Sequence, residues 1–177
     1  MRDELELKLA EEFPFMQQKK TLQEQKTEGR ISDLYSAFGC EVGDGWYELL
    51  HDMCSEIMEA YQKAGEPVNL VVDQVKEKFG TLRFYYHFEG QPQALHAFDF
   101  LGGPSLRFRQ EESSLQKEIA DAVRKAERRS EAVCETCGKP GTLREDLRWI
   151  LTLCDDCYGK RNNTPKNNSL QKEDVLE

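Results

Sequence analysis

Four cysteines in the last third of the chain have the types and spacing of a metal site. Cys134 pairs with Cys137, and Cys154 with Cys157, in two Cys-x-x-Cys motifs separated by sixteen residues. Structural zinc takes four such thiolates in a closed tetrahedron, so the pattern predicts one structural zinc ion. An iron–sulfur cluster also accepts four thiolates and is one alternative. Redox chemistry is another, although it needs only one such pair.

The segment between the two pairs must turn back so that all four sulfurs meet. Residues 143–153 are therefore expected to form a short hairpin, and Gly138 suits a turn with positive φ after the first pair. Such a small module buries too little apolar area to fold alone, so the metal is expected to stabilise it. The side chains expected beneath the metal are Leu147, Trp149, Ile150 and Leu153.

Basic side chains in and before this module could present a face to a partner. Residues 113–160 hold nine Lys/Arg and nine Asp/Glu, however, so a mixed solvated face is the competing interpretation. The candidate partner-binding residues are Arg124, Arg128, Arg129, Lys139, Arg144 and Arg148.

The remaining cysteines and the histidines give no catalytic constellation. Cys54 falls on the apolar face of a predicted helix and Cys40 in a glycine-rich turn, so both are expected to be buried. His51, His87 and His96 have no metal spacing with one another, and general acid–base catalysis needs an oriented partner. We therefore predict no catalytic residue.

A long amphipathic helix over residues 44–64 is expected to form the centre of the body. Its apolar positions recur with the period of 3.6 residues. The Asp44 carboxylate is placed to cap its amino end, and Gly65 to end it. Those apolar positions are Trp46, Leu49, Leu50, Met53, Cys54, Ile57, Met58 and Tyr61.

A strand pair and a second helix complete the predicted body. Residues 68–75 are rich in β-branched side chains and residues 81–88 alternate, so a hairpin with its turn near Gly80 is expected. Residues 115–130 are amphipathic and lead directly into the cysteine module. The predicted fold class is α+β, with a helix on a short antiparallel sheet, a second helix and a carboxyl-terminal zinc knuckle.

Four segments follow from these patterns. We expect a helical or mobile segment at 1–30, in which Leu5, Leu9 and Phe13 favour a short helix ended by Pro14. A small α+β domain is expected at 31–130, with an irregular insertion at 89–112 broken by glycine and proline. The zinc knuckle is expected at 131–160. The polar sequence after Tyr158 predicts a disordered tail, assigned to 161–177.

Charge and hydropathy limit the classes of function. The net charge is −9, and residues 1–112 hold 12 Lys/Arg against 21 Asp/Glu. An acidic body disfavours direct binding of phosphates and suits a basic partner, although solubility alone also explains it. No apolar run approaches a membrane span, and the acidic amino terminus does not resemble a secretory signal. We therefore expect a cytoplasmic protein with reduced thiols.

Three runs of sequence resemble a group of small bacteriophage and prophage proteins without an established activity. They are FGCEVGDGWYELLHDMC, DQVKEKFGTLRFYYHF and AERRSEAVCETCGKPGTLREDLRWILTLCDDC. The resemblance covers about residues 38–158 and implies a phage or bacterial setting and a zinc knuckle.

The combined hypothesis is a non-enzymatic accessory protein that binds a protein partner. In the phage setting, that partner would be a basic host enzyme of nucleic acids, such as a defence nuclease, inhibited by the acidic body. A nucleic-acid-binding regulator working through the zinc module is one alternative. An enzyme with an unrecognised site is the other.

Overall fold

Helices and short strands are interspersed along the chain in an α+β arrangement, as the sequence predicts. The computed structural model describes residues 1–17, 34–90 and 113–162. Two 3-10 turns, Pro14–Met16 and Asp44–Trp46, lie between the longer elements. The helices are α1 (Asp3–Glu12), α2 (Leu34–Phe38), α3 (Tyr47–Ala64), α4 (Ser114–Ser130) and α5 (Asp155–Asn162). The strands are β1 (Cys40–Glu41), β2 (Leu70–Lys78), β3 (Thr81–Phe88), β4 (Thr142–Arg144) and β5 (Leu151–Leu153).

The body of the protein has a three-stranded sheet in the order β1-β2-β3. Strands β2 and β3 form the predicted antiparallel hairpin, with an irregularity between Val72 and Gln74. The hairpin turn is Phe79-Gly80 alone, so β2 extends three residues past the predicted end at residue 75. Strand β1, which the sequence did not predict, pairs with β2 in parallel.

Helix α3 lies at the centre of the body core. Its apolar face is buried as predicted, and Gly65 ends it with φ 66 in the left-handed region. The predicted Asp44 cap is wrong, because no side chain caps this helix. The Asp44 carboxylate instead accepts from the backbone N–H and the Nε of Arg2, at 2.8 and 2.5 Å. The Arg2 N–H, followed by its guanidinium, lowers the pKa of Asp44.

Helix α4 covers both α3 and the edge strand β3. Ser113 and Gln116 form a reciprocal capping box at its start. At its far end, the Ser130 hydroxyl accepts from Leu82 N–H at 2.8 Å. The Glu127 carboxylate accepts from Phe84 N–H at 3.3 Å. Side chains of α4 thus satisfy backbone donors that the sheet edge leaves unpaired.

Helix α1 and the residue that follows it also pack into the body core. Leu9 and Phe13 are buried, and the Glu6 carboxylate accepts from Cys40 N–H at 3.0 Å. Cys40 and Cys54 are both buried thiols, as predicted, and burial raises the pKa of Cys40 to about 12. In the described residues no helix is long and apolar enough to cross a membrane.

One prediction for the carboxyl-terminal end changes with the structure. The chain continues as helix α5 to Asn162, so the prediction of disorder after Tyr158 is wrong for residues 159–162. The rest of that tail, 163–177, lies outside the described residues, as do 18–33 and most of the predicted insertion, 91–112.

Candidate metal centre

The four predicted cysteines converge on one point. Their sulfurs all lie within 4.8 Å of one another, and the Sγ atoms of Cys137 and Cys154 are 3.6 Å apart. A tetrahedral ion with metal–sulfur bonds of about 2.3 Å places its ligands about 3.8 Å apart. The cluster therefore has the dimensions of a four-thiolate metal site, and all four cysteines are free of disulfides.

The first pair lies on a tight turn closed by the backbone. Gly138 N–H donates to the Cys134 carbonyl, and Cys134 N–H to the Lys139 carbonyl, both at 2.8 Å. Gly138 has φ 76, the left-handed conformation that its position predicted. The backbone N–H of Lys139 points back to the Cys137 sulfur. Such an N–H stabilises a thiolate, as a metal ligand requires.

The second pair is delivered by the predicted hairpin and by a helix start. Strands β4 and β5 pair antiparallel, and β5 leads directly to Cys154, which precedes α5. The backbone N–H of Cys157 donates to the Cys154 sulfur, and this bond, with the neighbouring thiols, lowers the pKa of Cys154 to about 7. Burial, followed by hydrogen bonds with the Cys154, Cys137 and Cys134 sulfurs, raises the pKa of Cys157 to about 12.

The Cys134–Cys137 turn rests on the start of α3. We call residues 43–46, the GDGW sequence, the docking loop. Gly45 N–H donates to the Glu135 carbonyl at 2.8 Å, and Gly43 N–H to the Glu135 carboxylate at 2.9 Å. The Trp46 indole N–H donates to the Val133 carbonyl at 2.8 Å. Three donors of one loop therefore hold the segment that carries the first cysteine pair, two through backbone carbonyls and one through the Glu135 carboxylate.

Both glycines of the docking loop permit this close approach. A Cβ on Gly45 would lie 2.6 Å from the Cys137 nitrogen and closer still to the Cys134 carbonyl. A Cβ on Gly43 would lie 2.9 Å from the Cγ of Glu135. Burial of the Glu135 carboxyl raises its pKa, although the Gly43 N–H opposes this. The Cys134–Cys137 turn thus packs directly against the docking loop.

A second contact joins the β4–β5 hairpin, next to the cysteines, to the β2–β3 hairpin of the body. The Thr152 hydroxyl is fully buried and donates to the Gly80 carbonyl at 2.7 Å. The Leu143 side chain fills the space beside Gly80 where a Cβ would lie. Because Glu135 N–H donates to the Thr152 carbonyl at 3.0 Å, this contact continues into the cysteine turn.

The predicted packing under the metal is only partly correct. Leu153 is buried in the small cluster around the cysteines, and Leu147 packs against that cluster. Trp149 is 62% exposed, so its predicted burial is wrong. Its indole N–H donates to the Glu77 carboxylate at 2.5 Å instead. Ile150 is half-buried, while the neighbouring Leu151 occupies the position in the cluster.

Most of the predicted basic face pairs with carboxylates. Arg129 contacts Asp52 at 3.0 Å across the α3–α4 interface. Arg128 and Arg148 are exposed, and binding of a partner by this face stays a prediction. The other pairs are Arg124 with Asp121, Lys139 with Asp156, and Arg144 with Asp155.

The histidines within the described residues each face one carboxylate. His51 Nε2 lies 3.0 Å from Glu12, and His87 Nδ1 lies 2.8 Å from Asp73; His96 lies outside those residues. Across residues 1–17, 34–90 and 113–162, the four cysteines are the single group of three or more His, Cys, Asp or Glu side chains placed to hold an ion.

The docking loop is the part of the site that sequence reasoning missed. The sequence pattern predicts only a helix cap at Asp44, although a helix start does not need a glycine on each side of the cap. A Gly-x-Gly directly before a tryptophan that becomes fully buried was the available signal. Comparison of the chain with protein-family models, curated proteins and solved structures found no match.

Proposed function

We propose that the four cysteines hold one structural zinc ion, and that the protein is a non-enzymatic accessory protein acting through a protein partner. The convergence of the four sulfurs within 4.8 Å carries the proposal. Zinc suits this set because it favours a closed tetrahedron of thiolates with backbone N–H support. Four thiolates leave no position for a substrate or an activated water, which favours a structural role.

The acidic surface supports a basic partner. Helices α3 and α4 border a groove of about 370 Å³ with four carboxylates and two lysines. A negative surface accelerates encounter with a positive one and disfavours nucleic acid. The four carboxylates are those of Glu56, Glu59, Glu118 and Asp121.

In the phage or prophage setting that the sequence resemblance implies, the partner is a cytoplasmic host enzyme of nucleic acids. The acidic body would occupy the basic channel of that enzyme and inhibit it. This setting rests on the resemblance of residues 38–158 and on the charge of the body.

The metal is tested by native mass spectrometry of the protein purified without chelator. We expect one zinc ion per chain and loss of that ion in Cys154→Ser. Cys54→Ala is the matched control, because Cys54 is buried in the body core and away from the cluster. A metal-free wild type, or bound iron with visible absorption, would remove the zinc assignment.

The partner is tested by affinity purification from host cells with crosslinking, followed by activity assays on the recovered protein. The expected product is a basic nucleic-acid enzyme whose activity falls when this protein is added. Recovery of no such enzyme contradicts the proposal. A gel shift with duplex DNA at low salt examines the alternative regulator, and binding there would favour that function instead.

A further inference from the structure

An open cleft lies where the metal module meets the sheet of the body. Its volume is about 630 Å³, and both parts of the protein line it. Glu41 and Glu77 contribute from β1 and β2, Glu135 from the cysteine turn, and Trp149 from the β4–β5 loop. The cleft thus exists only while the module is docked.

Trp149 stands at this cleft with its ring largely in solvent. The Glu77 carboxylate fixes the indole edge by accepting from Nε1, so the ring is oriented although 62% of the residue is exposed. Glu77 also accepts from Gly80 N–H at 2.6 Å, which ties the tryptophan to the hairpin turn. An exposed tryptophan held in one orientation is typical of the residues that dominate binding interfaces.

Two further exposed apolar side chains lie around the same hairpin turn. Phe79, which precedes Gly80, is 65% exposed, and the exposed Leu143 contacts Gly80. Phe79 has φ 55, a conformation that bulky residues rarely adopt. The backbone at Phe79 is therefore strained, although its aromatic side chain is not buried. Strain of this kind at an exposed position indicates a role in binding.

The negative charge of the body around the cleft favours a cationic ligand. Three carboxylates line the cleft, together with Lys76, Arg161 and the Met1 ammonium, which already donates to the Cys40 and Val42 carbonyls. The Lys76 ammonium lies 5.3 Å from the centre of the Tyr85 ring. The acidic excess in residues 1–112 adds a negative field. A cation that stacks on an indole beside carboxylates is best supplied by a guanidinium, which is planar and weakly hydrated.

We propose that the cleft binds an arginine-bearing segment of the protein partner. The guanidinium stacks on Trp149 and faces the carboxylates of Glu41 and Glu135, while a neighbouring apolar side chain covers Phe79 and Leu143. This assignment rests on the proposed function, since it gives the basic partner a specific contact surface.

Three immobilised decapeptides test the proposal on the full-length, zinc-loaded protein. They are identical Gly/Ser sequences with two leucines flanking a central arginine, citrulline or glutamate. We expect the arginine peptide to bind about fivefold more tightly than the citrulline peptide, which keeps the shape but not the charge. Equal binding of these two, or preference for the glutamate peptide, overturns the proposal.

Variants locate the binding surface. Trp149→Ala is expected to weaken binding of the arginine peptide about fivefold. Leu7→Ala removes an equally exposed side chain on α1 and is expected to leave that binding unchanged. Glu41→Gln removes a cleft charge at an exposed site with little risk to folding, and it should also weaken binding. Unchanged binding in both cleft variants overturns the proposal.

Two outcomes separate this inference from the proposed function. If Trp149→Ala still captures and inhibits the enzyme recovered by the wild type, the cleft assignment is wrong and the proposed function stands. If the arginine peptide binds as expected but no inhibited enzyme is found, the proposed function fails and the cleft remains. A wild-type dimer that Trp149→Ala dissociates in sedimentation would assign this surface to a second copy and overturn the partner.

Discussion

Gly45 lies where the cysteine turn comes closest to the body. In Gly45→Ala the added Cβ would lie within 2.6 Å of the Cys137 backbone nitrogen, and backbone cannot move aside as a flexible side chain does. We expect the free energy of unfolding to fall by about 1–3 kcal/mol, as in other overpacked sites. Urea unfolding of the zinc-loaded protein measures this change.

Gly159→Ala is the matched control. Gly159 lies in α5 near the same metal centre, and a Cβ there meets nothing within 4 Å. Alanine is favoured over glycine inside a helix by about 0.5–1 kcal/mol, so stability should stay equal or rise. An unchanged urea midpoint in Gly45→Ala would show that the docked arrangement does not persist in solution.

Glu127 predicts a pH-dependent effect. Burial raises the pKa of its carboxyl, although Phe84 N–H and nearby arginines oppose this. Because the folded-state pKa exceeds the unfolded one, the contribution to stability is present below the unfolded value of 4.5 and is lost as pH rises through the folded value. Glu127→Gln keeps the acceptor without the charge. Its stability relative to the wild type should therefore be higher at about pH 8 than at about pH 5.

Urea midpoints of both proteins at the two pH values give this difference, in which the effect of pH on the metal site cancels. Glu118→Gln is the control, since Glu118 lies on the exposed face of the same helix. The same pH dependence in both variants would contradict the role of burial.

At the residue scale, the four cysteines were predictable because ligand chemistry and local spacing define them. Gly43 and Gly45 were not, because the atoms that require them belong to residues about ninety positions later in the chain. The same reason explains Asp44, whose partner is Arg2 rather than the adjacent helix. Local sequence specifies local chemistry, and a contact between distant segments leaves no pattern in either one alone.

At the element scale, the β2–β3 turn offers the clearest test. Phe79 and Gly80 both have positive φ, as a two-residue type I′ turn requires, and Asn-Gly is the favoured pair there. We expect Phe79→Asn to raise the free energy of unfolding by about 0.5–1 kcal/mol, because asparagine tolerates this conformation. Thermal unfolding monitored by circular dichroism measures the change.

Phe38→Asn makes the same chemical change at an exposed helical residue whose φ is not positive. It should not stabilise the protein, so an equal gain in both variants would show that the turn carries no strain. If Phe79→Asn stabilises the fold and also weakens binding of the arginine peptide, the turn retains phenylalanine for binding at a cost in stability.

Elements with a long periodic or alternating pattern were predicted correctly, namely α3, α4 and the β2–β3 hairpin. Their patterns are visible in sequence because one face of each element is buried over many residues. Strand β1 has two residues and depends on its distant partner β2. Helix α5 has a polar sequence, and it begins at a cysteine pair rather than at an apolar face. Its formation is therefore expected to depend on the metal module.

At the scale of the whole molecule, two buried clusters meet through polar contacts. The body core includes α3, α4 and the sheet, while the small module has its own cluster around the cysteines. Between them lie hydrogen bonds from the docking loop and from Thr152. The metal is therefore expected to control the docked state without controlling the body core.

Hydrogen exchange after metal removal tests whether docking depends on the metal. After chelation, the cysteine turn loses its metal ion, and Glu135 no longer offers fixed acceptors to the docking loop. We expect the amides of Gly43 and Gly45 to exchange faster by about tenfold or more, although both lie far from the cysteines in sequence. The amide of Gly39, which donates to Tyr35 within the body, should be unchanged. Equal acceleration at all three would mean that the whole fold depends on the metal, and no acceleration at Gly43 and Gly45 would mean that docking does not require it.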